Sequence, residues 1–175
     1  YSKKVVDAAR TATQASTERI DAALAPFGLC SHDVGAAGDC QFRALAHFLL
    51  GDAERHAEVR AAVVAELTAH PQRYKPFVEE WALEVVDAHR QSYASFVDRM
   101  TRQGTWGGNT TLLAAATVYR RTLHLVTAPL SPDTPTYYTA VRPQAADDTT
   151  EPDDDREGTT TIWLAHLIPQ AEAHE

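Results

Sequence analysis

One cysteine in this sequence lies in a setting suited to nucleophilic chemistry. Cys40 follows a short stretch that contains Gly35 and Gly38, and an apolar-periodic segment begins directly after it. The apolar residues of that segment recur at spacings typical of one helix face: Phe42, Leu45, Phe48 and Leu49. Cys40 is therefore predicted in the first turn of a helix. The partial positive charge of a helix N-terminus stabilises a thiolate, and N–H groups of the preceding turn can receive an oxyanion.

The cysteine has a second possible interpretation, because a lone cysteine beside apolar residues is often a small buried hydrophobe. The surrounding motif favours catalysis. Residues 38–45 read Gly-Asp-Cys-Gln-Phe-Arg-Ala-Leu and closely resemble the signature of the ovarian-tumour (OTU) family of cysteine proteases, where Gly-Asn-Cys-Leu/Gln-Phe-Arg-Ala is typical. Residues 74–79 resemble the family's segment after the second helix, and residues 104–108 resemble its Gly-Thr-Trp-Gly-Gly turn. The resemblance extends roughly from residue 27 to the C-terminus.

The helices and strands that position Cys40 are predicted from the spacing of apolar residues and from the glycine, proline and polar residues that separate the segments. Helices are predicted first and strands later, which gives an α+β domain with a small mixed or antiparallel sheet. The resemblance implies a papain-like protease fold of the OTU type over residues 27–175, preceded by a helical extension over residues 1–26. The extension is predicted to pack rather than to bind substrate. Helices are expected over 2–25 (with a break near 13–17), 40–50, 52–70, 110–119 and twice within 74–102, and strands over 123–126, 137–141 and 159–167.

The composition narrows the classes of partner and the cellular compartment that are expected for this chain. A net charge of −8 over 175 residues argues against a nucleic-acid binder, which would carry a basic patch. The absence of a long apolar run argues against a membrane partner. Two cysteines match no metal spacing and suit a reducing compartment, cytosol or nucleus, with Cys30 as a packing residue.

The first residue is Tyr rather than Met, which is compatible with a domain excised from a larger protein. An acidic run over residues 147–157 is expected to be a solvated surface.

A thiol protease needs an imidazole that takes the thiol proton and later protonates the leaving amine. Of eight histidines, the six expected in helices, within a strand or close in sequence to Cys40 have simpler roles: His32, His47, His56, His70, His89 and His124. His166 is predicted on the last strand, buried beside apolar residues. The resemblance assigns the catalytic role to His174, because residues 171–174 are similar to the family segment that ends in its histidine. Glu175 stands where the family has an aromatic residue.

The third member of a triad is not assigned, since the family's acid would fall at position 176. Asp39 is expected to cap the helix, and a carboxylate beside a thiolate would oppose its ionisation. The resemblance places Gly38 and Asp39 in the active-site loop. Gly38 and the N–H of Cys40 are the candidates for the oxyanion hole. Ala37 replaces the family's Asp three residues before the cysteine, so no side chain at that position serves the loop.

The function implied by the resemblance is a thiol-dependent deubiquitinase that hydrolyses bonds after the C-terminus of ubiquitin or a ubiquitin-like modifier. Cys40 attacks, His174 is base and then acid, and water hydrolyses the acyl-enzyme. Ubiquitin or polyubiquitin is the expected partner, bound across residues 74–102 and the late strands, and no cofactor or metal is implied. Two alternatives stay open. One is a catalytically impaired ubiquitin-binding domain of the same fold, and the other is a helical adaptor with an incidental cysteine.

Overall fold

The computed structural model describes residues 3–35, 37–84, 92–129, 135–144 and 161–168. Helices precede strands along the chain, which confirms the predicted α+β class. The strands form one sheet in the order β2-β1-β3, with β1 in the middle. The elements are α1 (Lys3–Leu24), α2 (Cys40–Leu50), α3 (His56–Ala69), α4 (Pro71–Glu84), α5 (Tyr93–Met100), α6 (Asn109–Tyr119), β1 (Leu123–Pro129), β2 (Tyr137–Val141) and β3 (Ile162–Ile168).

The chain divides into two compact units. The first contains residues 1–32, 123–140 and 163–175, and the second contains residues 33–122 and 141–162. The first unit thus joins the N-terminal helix with the strands, and the second holds α2 to α6. The division of the sequence at residue 26 into an extension and a protease domain stays a prediction.

In the first unit, α1 packs against β1 through a stripe of residues four apart. Ser16, Ile20 and Leu24 are buried, and the last two share a core with Val126 and Ala128 of β1. The interpretation of this segment as a packing helix is confirmed. The predicted break near 13–17 is wrong, because the Thr17 hydroxyl donates to the Thr13 carbonyl one turn earlier and is satisfied inside a continuous helix.

In the second unit, α3 contacts α2, α4, α5 and α6. Val59, Val63 and Leu67, spaced four residues apart on one helix face, are fully buried on it. Asp52 caps the short 3₁₀ turn Ala53–Arg55 that leads into α3, since its carboxylate accepts from the Glu54 N–H at 2.9 Å. The stretch 74–102 carries two helices, as predicted, while the polar interval 87–91 lies outside the described residues.

Two of the residues predicted to be buried are exposed. Phe48 is 55% exposed although it was assigned to the apolar face of α2. At 100° per residue it lies about 120° around the helix from Phe42, beyond the buried arc that contains Phe42, Leu45 and Ala46. Cys30 is also exposed, in an irregular segment after α1, so its assignment as a packing residue is wrong.

Two glycine-bearing segments of the second unit meet backbone to backbone. Gly38 is buried, and a Cβ added to it would lie 1.6 Å from the carbonyl oxygen of Gly104. Gly104 itself adopts φ +77, a conformation that side chains disfavour. The turn before Cys40 can therefore approach the 104–108 loop because Gly38 has no side chain, whereas glycine at position 104 permits the positive φ, since a Cβ there would meet nothing within 4 Å.

Gly38→Ala should lower the free energy of unfolding by about 3 kcal/mol, the upper end of the overpacking range. Its Cβ would meet backbone, which cannot swing aside as a flexible side chain can. Gly108→Ala is the matched control in the same loop, because nothing lies within 4 Å of its added Cβ. That change should cost only about 0.5–1 kcal/mol, the usual effect of alanine at an N-cap. The measurement is urea unfolding of both variants, and equal losses would contradict this account of Gly38.

Candidate active site

Cys40 is the first residue of α2, which confirms its predicted place in the first helical turn. It is half-buried. The preceding turn is closed by a hydrogen bond from the Cys40 N–H to the Ala37 carbonyl at 3.0 Å. The helix then begins with the Arg43 N–H donating to the Asp39 carbonyl at 2.9 Å. The thiol thus projects from the positive end of an eleven-residue helix.

Asp39 does not cap α2 with its side chain, so that expectation is wrong. Its backbone is helix-like, at φ −97 and ψ −1, whereas an N-cap residue whose side chain bonds the first turn is usually extended. The carboxylate instead accepts from the Arg60 guanidinium at 2.6 Å and from the Gly104 N–H at 2.9 Å. Asp39 therefore joins the cysteine turn to α3 and to the 104–108 loop.

Arg60, which the sequence did not single out, contacts the cysteine turn. Its side chain is only 3% exposed, and its guanidinium lies 3.9 Å above the centre of the Phe42 ring. Besides Asp39 it donates to three carbonyl oxygens, those of Met100 at 3.1 Å, Gly38 at 3.4 Å and Thr105 at 2.7 Å. A signal was present in the sequence, because Arg60 shares a helix face with Val63 and Leu67, three and seven residues on.

The surroundings of Asp39 stabilise its ionised carboxylate. Partial burial works against the ionised form, but the Gly104 hydrogen bond and the Arg60 guanidinium outweigh it and lower the pKa of the carboxyl. His56 contributes in the same direction, with Nδ1 3.8 Å from the carboxylate. A depressed pKa means that the ionised carboxylate stabilises the fold above about pH 4, and that this contribution is lost as the pH falls through the lowered pKa.

A second connection joins the start of α2 to the start of α6. Thr111, which is buried, donates its hydroxyl to Gln41 Oε1 at 2.6 Å, and the Gln41 amide donates to the Gly108 carbonyl at 3.3 Å. A Cβ on Gly107 would lie 1.6 Å from Gln41 Oε1. The glycines of the 104–108 loop therefore admit contacts from α2, while Trp106 in the same loop is 65% exposed.

Of the two candidate bases, His166 lies among the described residues and His174 does not. His166 lies on β3 and is exposed, so its predicted burial is wrong, although partial desolvation does lower the pKa of its imidazole. Its strand neighbours Ile162 and Leu164 are buried, so the burial of this face ends before His166.

No group of three or more His, Cys, Asp or Glu side chains lies within metal-binding reach among the described residues. Within the same ranges, no helix combines the length and the apolar character that crossing a membrane requires.

Comparison with known proteins identifies the family. The family model described as "OTU-like cysteine protease" matches residues 35–162. Two deubiquitinating enzymes of Arabidopsis thaliana, named OVARIAN TUMOR DOMAIN-containing 10 and 11, are 33% and 32% identical to this chain over 111 residues. The matched segment is 63% of this chain in both cases and covers 28% and 41% of those relatives, so the chain spans less than half of their length.

Solved structures agree on the fold. The OTU domain of OTUD1 superposes with a TM-score of 0.69 at 20% identity, covering 89% of this chain and 90% of that one. The viral OTU domain protease from Qalyub virus gives a TM-score of 0.54 at 17% identity, over 78% of this chain and 76% of the viral one. The small sheet with preceding helices is thus the papain-like arrangement that the resemblance implied. From the family match over residues 35–162 together with this fold, the chain belongs to the OTU-like cysteine protease family.

Proposed function

We propose that this chain is a thiol-dependent deubiquitinase that hydrolyses the isopeptide or peptide bond after the C-terminus of ubiquitin or a ubiquitin-like modifier. The observation that carries the proposal is the position of Cys40. It lies at the N-terminus of α2, on a turn that is hydrogen-bonded to the 104–108 loop through Asp39. The related Arabidopsis proteins named deubiquitinating enzymes support the same substrate class.

In the proposed reaction, His174 accepts the thiol proton and Cys40 Sγ attacks the carbonyl carbon of the last modifier residue. The tetrahedral intermediate collapses when the C–N bond breaks, and His174 returns the proton to the leaving amine. Water, deprotonated by the same imidazole, then attacks the thioester and releases the carboxylate and the thiol. The pairing of His174 with Cys40 rests on the resemblance of residues 171–174 to the family's histidine segment.

The oxyanion of that intermediate requires N–H donors beside the thiol. Backbone N–H groups of the turn that contains Gly38, Asp39 and Cys40 are the proposed donors. The Cys40 N–H already donates to the Ala37 carbonyl, so it must exchange this bond for one to the substrate oxygen. Reaching the transition state therefore involves a small movement of the turn rather than a preformed hole at this donor.

Recognition of ubiquitin is proposed to use the surface of α4 and α5. Phe77 on α4 is 48% exposed. Tyr74 and Tyr93, in contrast, are buried. An exposed phenyl ring is typical of a contact surface, and the net charge of −8 would steer a partner with a basic face.

A second candidate is a ubiquitin-binding domain of the same fold that has lost catalysis. Two observations favour it: the Cys40 N–H is occupied by Ala37, and Glu175 follows His174 where the family has an aromatic residue. This candidate predicts ubiquitin binding without turnover.

The two thiols provide a matched test of the nucleophile. Cys40→Ala should abolish cleavage of ubiquitin chains, because no other group would form the acyl-enzyme. Cys30→Ala should cleave at the rate of the unsubstituted protein, since this exposed thiol has no role in the reaction. Cleavage is followed on gels with purified di-ubiquitin. Activity in Cys40→Ala, or its loss in Cys30→Ala, would refute the assignment.

The two histidines are separated in the same way. His174→Ala should lower the cleavage rate by about a hundredfold or more, the usual scale for loss of general acid–base help. His166→Ala should retain activity, because this residue is not proposed to reach the thiol. Thermal midpoints measured in parallel show whether each variant is folded. An active His174→Ala variant alongside a folded and inactive His166→Ala variant would make His166 the base.

A further inference from the structure

The most connected side chain near the nucleophile belongs to a residue that takes no part in the proposed bond-making. We propose that Arg60 is a positioning residue for Cys40: it fixes the cysteine turn and neutralises the carboxylate that immediately precedes the nucleophile. This inference rests on the proposed role of Cys40 as the reacting thiol. It assigns to Arg60 an effect on the thiol itself, beyond a contribution to folding.

The hydrogen bonds of Arg60 support this positioning role. The Arg60 guanidinium reaches three segments distant in sequence, which are the turn at Gly38 and Asp39, the end of α5 at Met100, and the loop at Thr105. A guanidinium is a planar fork with five donors, whereas an ammonium group is a compact point charge. The fork, braced on the Phe42 ring, therefore sets the relative positions of all three segments at once.

The charges around the Asp39 carboxylate support the same role for Arg60. A carboxylate next to a thiol disfavours the thiolate, yet Asp39 precedes Cys40 directly. The charged or titratable groups that face this carboxylate are Arg60 and His56 from α3 and, at longer range, Arg43 from α2. Arg43 is hydrogen-bonded to Glu54, and His56 Nδ1 stands 3.8 Å away. Arg60 is the permanent cation in direct contact with this carboxylate, which also accepts from the uncharged Gly104 N–H.

This arrangement predicts opposite effects for the two partners. Removing the arginine leaves a carboxylate, 16% exposed, without its cation at the position that precedes Cys40 in the chain, which disfavours the thiolate. Removing the carboxylate leaves a cation, which favours the thiolate. Removing both restores near-neutrality, so the double variant should react more like the unsubstituted protein. A residue that serves folding alone would not produce these opposed shifts.

The experiment measures alkylation of Cys40 by iodoacetamide as a function of pH, in a Cys30→Ala background so that one thiol reacts. Arg60→Gln should move the midpoint of the pH–rate curve upward by about 1 unit, Asp39→Asn should move it downward, and the double variant should lie between them. Arg60→Lys, which retains the charge, should stay near the unsubstituted midpoint. On a ubiquitin substrate, Arg60→Gln should lower kcat while KM changes little.

Arg55→Gln is the matched control, because Arg55 pairs with Glu58 on the surface, and it should leave the curve unchanged. A folded Arg60→Gln variant with an unshifted midpoint would overturn the inference. If that variant does not fold, Asp39→Asn decides, and an unshifted midpoint there overturns the inference as well. Alkylation needs no ubiquitin, so the expected shifts without any ubiquitin cleavage would refute the proposed function alone.

Discussion

The position of the cysteine turn depends on one partly buried ion pair, in which the guanidinium of Arg60 on α3 donates to the carboxylate of Asp39. Taking two charges out of water is costly, and such a pair is tolerated when further hydrogen bonds satisfy the groups. Here three carbonyl oxygens accept from the two terminal nitrogens of the guanidinium, whose Nε is buried without a hydrogen-bond partner, and the Gly104 N–H donates to the carboxylate. Removing one partner of a fully buried pair typically costs about 3–5 kcal/mol, because the other charge is left unpaired, and the partial exposure of Asp39 makes this an upper bound here. The position of the cysteine turn is therefore coupled to the stability of the fold.

The contacts of this ion pair require that the backbones of the cysteine turn and the 104–108 loop approach each other closely. The Gly38–Gly104 contact brings the Gly104 N–H within reach of Asp39, and the Gly107–Gln41 contact brings α2 against the start of α6. The glycines of the 104–108 motif thus have a specific physical role, since they allow side chains of the cysteine segment to bond the backbone of the loop. This explains why a motif that begins 66 residues beyond Gly38 accompanies the cysteine motif.

Local signals predicted much of this site. A turn followed by apolar residues at helical spacing placed Cys40 at the start of α2, and β-branched or apolar runs placed the strands. The role of Asp39 was not predictable in this way. Before a helix, Asp is a common N-cap, and its actual partners lie 21 and 65 residues away along the chain. Arg60 was missed because a charged residue at helical spacing is normally solvated.

Exposure was the least predictable property. Periodicity identifies which residues share a face, but the edge of a buried face depends on where neighbouring elements end. Phe48 and Phe77 lie beyond such edges, and so does His166 after the buried Ile162 and Leu164 of β3. These residues have the same apolar or aromatic character as core positions, so only tertiary packing separates the two groups.

The most direct test of the account uses a ubiquitin derivative that carries an electrophile at its C-terminus. Such a probe combines ubiquitin recognition with attack by the thiol, so it tests in one step the proposed substrate and nucleophile. Mass spectrometry of the digested adduct should place ubiquitin on Cys40 and leave Cys30 unmodified. An adduct on Cys30, or no adduct with a folded protein, would contradict the account.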